Sequence, residues 1–284
     1  MDFSAAGCHA FRHRPEARGT PMPLSQIARW IAVAALGAGP VLAADNPLQP
    51  SPAWDEMRLA VIGTETEPPV DPAVLDLDAP MRADNPALVP IRITQPPGAP
   101  AITRLALVID ENPAPVAAEF TLGPATAPLD LEVRVRVNAY SDVRAIATLA
   151  DGRQVMAGRF VKASGGCAAP AGRSGEDARK DIGAMRWTSE PAGERAMGQL
   201  MIRHPNFSGL QRDQLTLLDI PAEFVRSVTL RQGDALLMEM EGGISISENP
   251  VFRLGYTPDG APVTIHAEDT EDRQFDASFP GSGG

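Results

Sequence analysis

Apolar and polar residues alternate along most of this chain over short runs broken by Gly, Pro and Asp, the period-two pattern of antiparallel strands. The clearest run is Leu131-Glu132-Val133-Arg134-Val135-Arg136-Val137. It places four aliphatics on one face and three charges on the other, as a half-buried strand requires. Helical spacing would scatter them. Residues 105–109, 143–149 and 155–161 read as further strands, with Asp151-Gly152 marking a hairpin between the last two. Strands resume at 197–203, 224–230, 235–241, 251–256, 262–266 and 275–279, where Gln232-Gly233-Asp234 and Asp259-Gly260 supply tight turns. A short helix is expected over 53–62.

Between these two sets of strands, residues 162–181 are rich in Ala and Gly and carry no apolar periodicity. That composition reads as a linker. The expectation is an all-β protein of two immunoglobulin-like β-sandwich domains, at 44–162 and 184–280, each with its own core. A Gly/Ala-rich linker at 163–183 joins them, and 281–284 form a tail.

The N-terminus reads differently. From Met22 onward, Arg29 gives a basic start, residues 30–41 an apolar stretch, and Val41-Leu42-Ala43 a small-residue cleavage site. This is a signal peptide, with residues 1–21 belonging to a mis-assigned start. Its apolar stretch is shorter than the roughly 20 residues a spanning helix needs. The expectation is a periplasmic protein, cleaved near Ala43, with no membrane anchor. The whole chain carries a formal charge of −11, and loss of the basic leader makes it more acidic still. Nucleic acid and anionic membranes, which attract basic patches, are therefore not expected partners.

Cleavage removes Cys8 and leaves Cys167 as the lone cysteine. An unpaired cysteine in an exported chain points to a reactive thiol or an intermolecular bond. Cys167 is flanked by Gly165, Gly166, Ala168 and Ala169. These small neighbours predict an exposed thiol on a flexible arm that carries a covalently attached group. It is the sixth residue beyond Val161, a reach of roughly 20 Å when extended. Bulk beside the sulfur would block entry into a partner's cleft.

Motifs for an enzyme are missing: there is no HExxH, Walker loop, GxSxG or dinucleotide fingerprint. No catalytic residue and no cofactor are expected. His204 precedes Pro205 and reads as a loop residue, and His266 falls on the polar face of its strand. A copper site from Cys167, these histidines and Met238 or Met240 is chemically conceivable. The alternation of Leu236, Met238 and Met240, however, is that of ordinary core residues.

Several stretches resemble SoxY and SoxZ, the paired subunits of the carrier in periplasmic thiosulfate oxidation. On the SoxY side these are Leu75-Asp76-Leu77-Asp78-Ala79-Pro80, Asp110-Glu111-Asn112-Pro113, Ala118-Glu119-Phe120, Leu122-Gly123-Pro124, Leu149-Ala150-Asp151-Gly152 and Gly165-Gly166-Cys167. On the SoxZ side they are His204-Pro205, Ile220-Pro221-Ala222-Glu223-Phe224 and the run from Ile244 to Phe252. The resemblance implies that Cys167 holds sulfur intermediates while separate sulfur-oxidation enzymes process them, and that a SoxZ-like domain contacts the SoxY-like one. Two departures stand out. The family's Gly-Gly-Cys-Gly-Gly end reads Gly165-Gly166-Cys167-Ala168-Ala169 here, and the arm runs on into more chain. Fused proteins of this kind also form a group associated with quinoprotein dehydrogenases. That leaves a second reading open, an accessory protein for such a dehydrogenase in which Cys167 is incidental.

Overall fold

A computed structural model describes residues 46–170, 179–214 and 216–281 of the chain. The leader and cleavage site lie outside the described residues, as do part of the linker and the last residues of the tail. Residues from 44 onward form one compact unit.

The helix expected over 53–62 is α1, Pro52–Ile62. Ser51 caps it by accepting a hydrogen bond from the Trp54 amide, Pro52 opens its first turn, and Gly63 closes it at φ 73°. All three are the residues those positions favour. No helix among the described residues is long and apolar enough to cross a membrane.

Fourteen strands follow among the described residues. The first half contributes β1 (Asp76–Asp78), β2 (Val89–Thr94), β3 (Ile102–Ile109), β4 (Val116–Leu122), β5 (Asp130–Val135), β6 (Ser141–Leu149) and β7 (Gln154–Val161). The second contributes β8 (Met185–Ala192), β9 (Arg195–Ile202), β10 (Val225–Gln232), β11 (Ala235–Gly242), β12 (Val251–Tyr256), β13 (Val263–Asp269) and β14 (Gln274–Phe279). Every strand expected from alternation is present. Four were not anticipated, and each hides its signal. β1 is three residues long, and β2 contains Pro90 at a stretch that β1 does not cover. β4 has two alanines behind its first residue, and β8 is an edge strand whose only buried side chain is Trp187.

The strands form two sheets, in the orders β1-β2-β5-β12-β9-β8 and β14-β13-β10-β11-β4-β3-β6-β7. Both sheets pass without a break from one half of the chain to the other. In the larger, β4 pairs with β11, setting Phe120 opposite Met240 and Leu122 opposite Met238. In the smaller, β5 pairs with β12, setting Val133 opposite Phe252 and Leu131 opposite Leu254. The all-β, two-sandwich architecture is as expected, but separate cores are not found. One buried apolar cluster runs through both halves. The cause is edge pairing: each half presents strands whose open edges are satisfied by the other, and the aliphatic faces then merge.

A second apolar cluster lies where α1 packs Trp54 and Ile62 on Val108, Ile146 and Met156. It accounts for the near-continuous burial of β6, which has cover on both faces.

Candidate functional site

The site is built from the end of β5, the segment after β7, and the loop after β9. Beyond Val135 the chain continues as Arg136, Val137 and Asn138. The Arg136 amide donates to Ser245 O at 2.7 Å, and Asn112 Nδ2 donates to Arg136 O at 2.7 Å and to Ser245 Oγ at 2.9 Å. Asn112 Oδ1 accepts from the Asn138 amide at 2.8 Å. A first-half asparagine thus locks the end of β5 against a second-half serine.

The segment after β7 lies on this platform. Gly165, at φ 74°, donates its amide to Asn138 O at 2.7 Å, and Gly166 donates to Val137 O at 3.2 Å. A Cβ on Gly166 would sit 2.1 Å from Pro86 O and 2.5 Å from Val137 O, so only glycine fits there. From the second half, Ser208 Oγ donates to Cys167 O, and Gln211 Nε2 donates to Ala169 O at 2.8 Å. The chain is described again from Arg179, which binds Glu223 at 2.7 Å and lies over the Phe207 ring.

Cys167 is therefore not the exposed thiol that its small neighbours suggest. It is 0% exposed. Gly166 is buried with it, Ala169 is half-buried, and only Gly165 and Ala168 face solvent. The reason is that glycine serves close packing as well as mobility: the lack of a side chain lets Gly166 approach two carbonyls. Burial pushes the Cys167 thiol above its ordinary pKa, and the Arg136 cation pulls it back.

Arg136 is the main residue that sequence reasoning placed wrongly. Alternation put it on a solvated face with Glu132 and Arg134, yet it is only 2% exposed. Its Nη1 donates to Gly166 O at 3.3 Å and its Nη2 to Asn206 O at 3.2 Å, joining the arm to the second half. Burial lowers its pKa, opposed by Cys167 and Glu248. Ser208, Gln211 and Asn206 carried no signal of their own. Each is a polar residue in a loop, and each is buried.

His204 is likewise buried, not a loop residue in solvent. Its Nδ1 accepts the Asn206 amide at 3.0 Å, which leaves the proton on Nε2, facing Asp269 Oδ2 at 3.3 Å. Burial lowers its pKa, so the ring is neutral at neutral pH. Asn206 also accepts the Val225 amide at Oδ1, at 3.1 Å. Together these bonds fix the carbonyl that Arg136 uses. His266 is on the polar face as read, bonded to Asp276 at 2.8 Å. Met238 and Met240 are core residues. His204 and His266 are hydrogen-bonded to other side chains, and Met238 and Met240 pack in the core, so none of the four faces Cys167.

Residues 59–167 match the family model described as sulfur oxidation protein SoxY, and residues 185–280 match that for sulphur oxidation protein SoxZ. The chain belongs to the SoxY and SoxZ carrier family, fused in tandem. The SoxY match ends on Cys167 itself. The SoxY half and the SoxZ half meet along β4–β11 and β5–β12, and the family's role is carriage for sulfur-oxidation enzymes, not catalysis. Among solved structures, the sulfur carrier protein SoxY from Chlorobium limicola f thiosulfatophilum is 22% identical, covering 39% of this chain and 91% of that one, at a TM-score of 0.33. A β-glucuronidase from Parabacteroides merdae is 9% identical, covering 76% of this chain and 25% of its own, at a TM-score of 0.23. A search of curated proteins gives no match. The assignment rests on the two family models.

Proposed function

We propose that this protein is a periplasmic carrier that holds sulfur-containing intermediates covalently on Cys167 and delivers them to partner enzymes. One observation carries the reading: the cysteine on which the SoxY match ends sits on a segment whose own bonding groups to the body are backbone amides and carbonyls. Gly165, Gly166, Ala168 and Ala169 bring no large apolar side chain to the contact. Each hydrogen bond contributes only about 0.5–1.5 kcal/mol net. Undocking is therefore within thermal reach, and the buried sulfur is the resting position of an arm.

Cargo is held through a sulfur–sulfur bond to Sγ. Forming that bond from a thiol and a reduced sulfur compound removes two electrons and two protons, and the partner enzyme supplies the electron acceptor. The arm is tethered at both ends and enters that partner as a loop. The competing reading, contacts with a quinoprotein dehydrogenase in which Cys167 is incidental, leaves the steric demand at Gly166 unexplained.

Intact-mass analysis of protein isolated from its native periplasm tests this. Expected are sulfur-containing adducts that a reductant removes and that the Cys167→Ser variant lacks. An unmodified chain, together with full function of that variant, would sink the reading.

A further inference from the structure

Arg136 is a buried cation whose protein partners do not cancel its charge. Both Nη atoms donate to carbonyls, Gly166 O and Asn206 O. Its Nε, closed off from solvent, donates to nothing. Among the described residues no carboxylate lies within 4.0 Å of its guanidinium. The other buried arginine, Arg144, is answered by Asp110 and Asp142, each at 3.0 Å. Folds rarely bury an ion without an opposite charge, because desolvation is then uncompensated.

The residue that follows the Gly166 carbonyl is Cys167, also fully buried, and the two side chains act on one another electrostatically. A neutral thiol gives the guanidinium nothing. A thiolate, or an anionic group on the sulfur, gives it a counter-charge.

We propose that Arg136 is the counter-cation of the arm, receiving negative charge borne at Cys167 as the thiolate or as an anionic group attached to Sγ. The position of the arm is thereby set by the charge of its load: an anionic adduct is drawn toward Arg136, and a neutral one leaves the arm free to undock. Arg136 is a positioning residue in this scheme. Other charges reach it: Glu248 acts on it directly, and His204 with Asp269 braces the Asn206 carbonyl it binds. The adduct half of the proposal rests on the carrier reading; the thiolate half does not.

Two measurements on the full chain test it. Thiolate absorbance is titrated in the wild type, Arg136→Lys and Arg136→Met, with Cys167→Ser subtracted. The midpoint is expected to rise by about one unit in Arg136→Met, tenfold less thiolate at a given pH, with Lys restoring part of the difference. An unchanged midpoint in folded Arg136→Met overturns the proposal. The second needs no Arg136 variant. Wild-type Cys167 is alkylated to completion with iodoacetate or iodoacetamide, giving adducts of nearly equal size, one anionic and one neutral. Amide exchange over 163–170 is expected to be about tenfold slower in the anionic form, the scale of one charge-assisted hydrogen bond. Equal exchange in the two overturns the proposal even if Arg136→Met fails to fold. Neither measurement uses a native sulfur adduct, so an unloaded chain from cells would count against the carrier reading alone.

Discussion

The seam between the halves and the docked arm both join SoxY-half residues to SoxZ-half residues, but they are made of opposite materials. At the seam, Phe120, Leu131 and Val133 meet Met240, Leu254 and Phe252, all buried in one apolar cluster. At the arm, the joining groups are backbone amides and carbonyls, two side-chain donors and one guanidinium. Apolar burial is worth about 25 cal/mol per Å² and is lost only by opening the sheets. The arm's hydrogen bonds would be exchanged for bonds to water on undocking, so their net worth is small. A carrier needs both: a joint that does not open and one that does.

The seam sets the largest expected effect. Phe252→Ala removes a fully buried ring paired across β5–β12 and should destabilise the fold by about 3–5 kcal/mol. Because the core is continuous, denaturant unfolding should remain a single transition for both halves, shifted to a lower midpoint. Two separate transitions would show that the halves fold independently and would break the contrast drawn here.

Gly166→Ala should do the reverse, leaving the seam intact while expelling the arm. The added Cβ meets Pro86 O and Val137 O, neither of which belongs to a flexible side chain. Overpacking of this kind costs about 1–3 kcal/mol. Relief is available by undocking, so the thermal midpoint should hardly move while alkylation of Cys167 by iodoacetamide speeds up by about five- to a hundredfold. Unchanged alkylation would mean that the arm stays in place despite the clash.

The same contrast governs what could be read from the sequence. The seam strands were legible: over 131–135 and in Met238 and Met240, period-two burial writes itself into residue type. That their cores merge was not legible, because an edge strand looks the same whether it faces water or another half's edge. At the arm, Gly165, Gly166 and Cys167 were singled out by composition, and the SoxY match ends on Cys167. Their small size was taken for mobility, whereas Gly166 is small because two carbonyls crowd it. Arg136 was legible only as a charge in a strand pattern. The strand ends at Val135, and one residue later the alternation no longer reports which face meets solvent. His204-Pro205 read as a surface loop for a similar reason: the bonds that bury it come from Asn206, Asn249 and Asp269, two of them far along the chain.

Ser208→Ala removes one donor to the arm, the hydroxyl bonded to Cys167 O. A single hydrogen bond of about 0.5–1.5 kcal/mol corresponds to roughly a two- to tenfold gain in undocked arm. Alkylation should rise by that factor with no change in the unfolding midpoint. A fall in the midpoint instead would place Ser208 in the permanent joint.

The smallest effect expected is that of acid. Burial holds the folded-state pKa of His204 below its ordinary value of 6.5, so the unfolded chain binds the extra proton first. Its contribution to stability is present above pH 6.5 and is lost as pH falls toward the folded pKa. Protonation also forces Nδ1 to give up the Asn206 amide, slackening the carbonyl to which Arg136 is bonded. Between pH 7 and 5, amide exchange corrected for intrinsic rates should therefore quicken at 163–170 while β4 and β11 stay protected. His266 works the other way, its pKa raised by Asp276, but it is largely exposed and its weight is small. His266→Gln should steepen the acid effect slightly by removing that opposition. Equal loss of protection at the arm and at β4–β11 would mean that His204 supports the whole fold, and the arm would no longer count as the separately released joint.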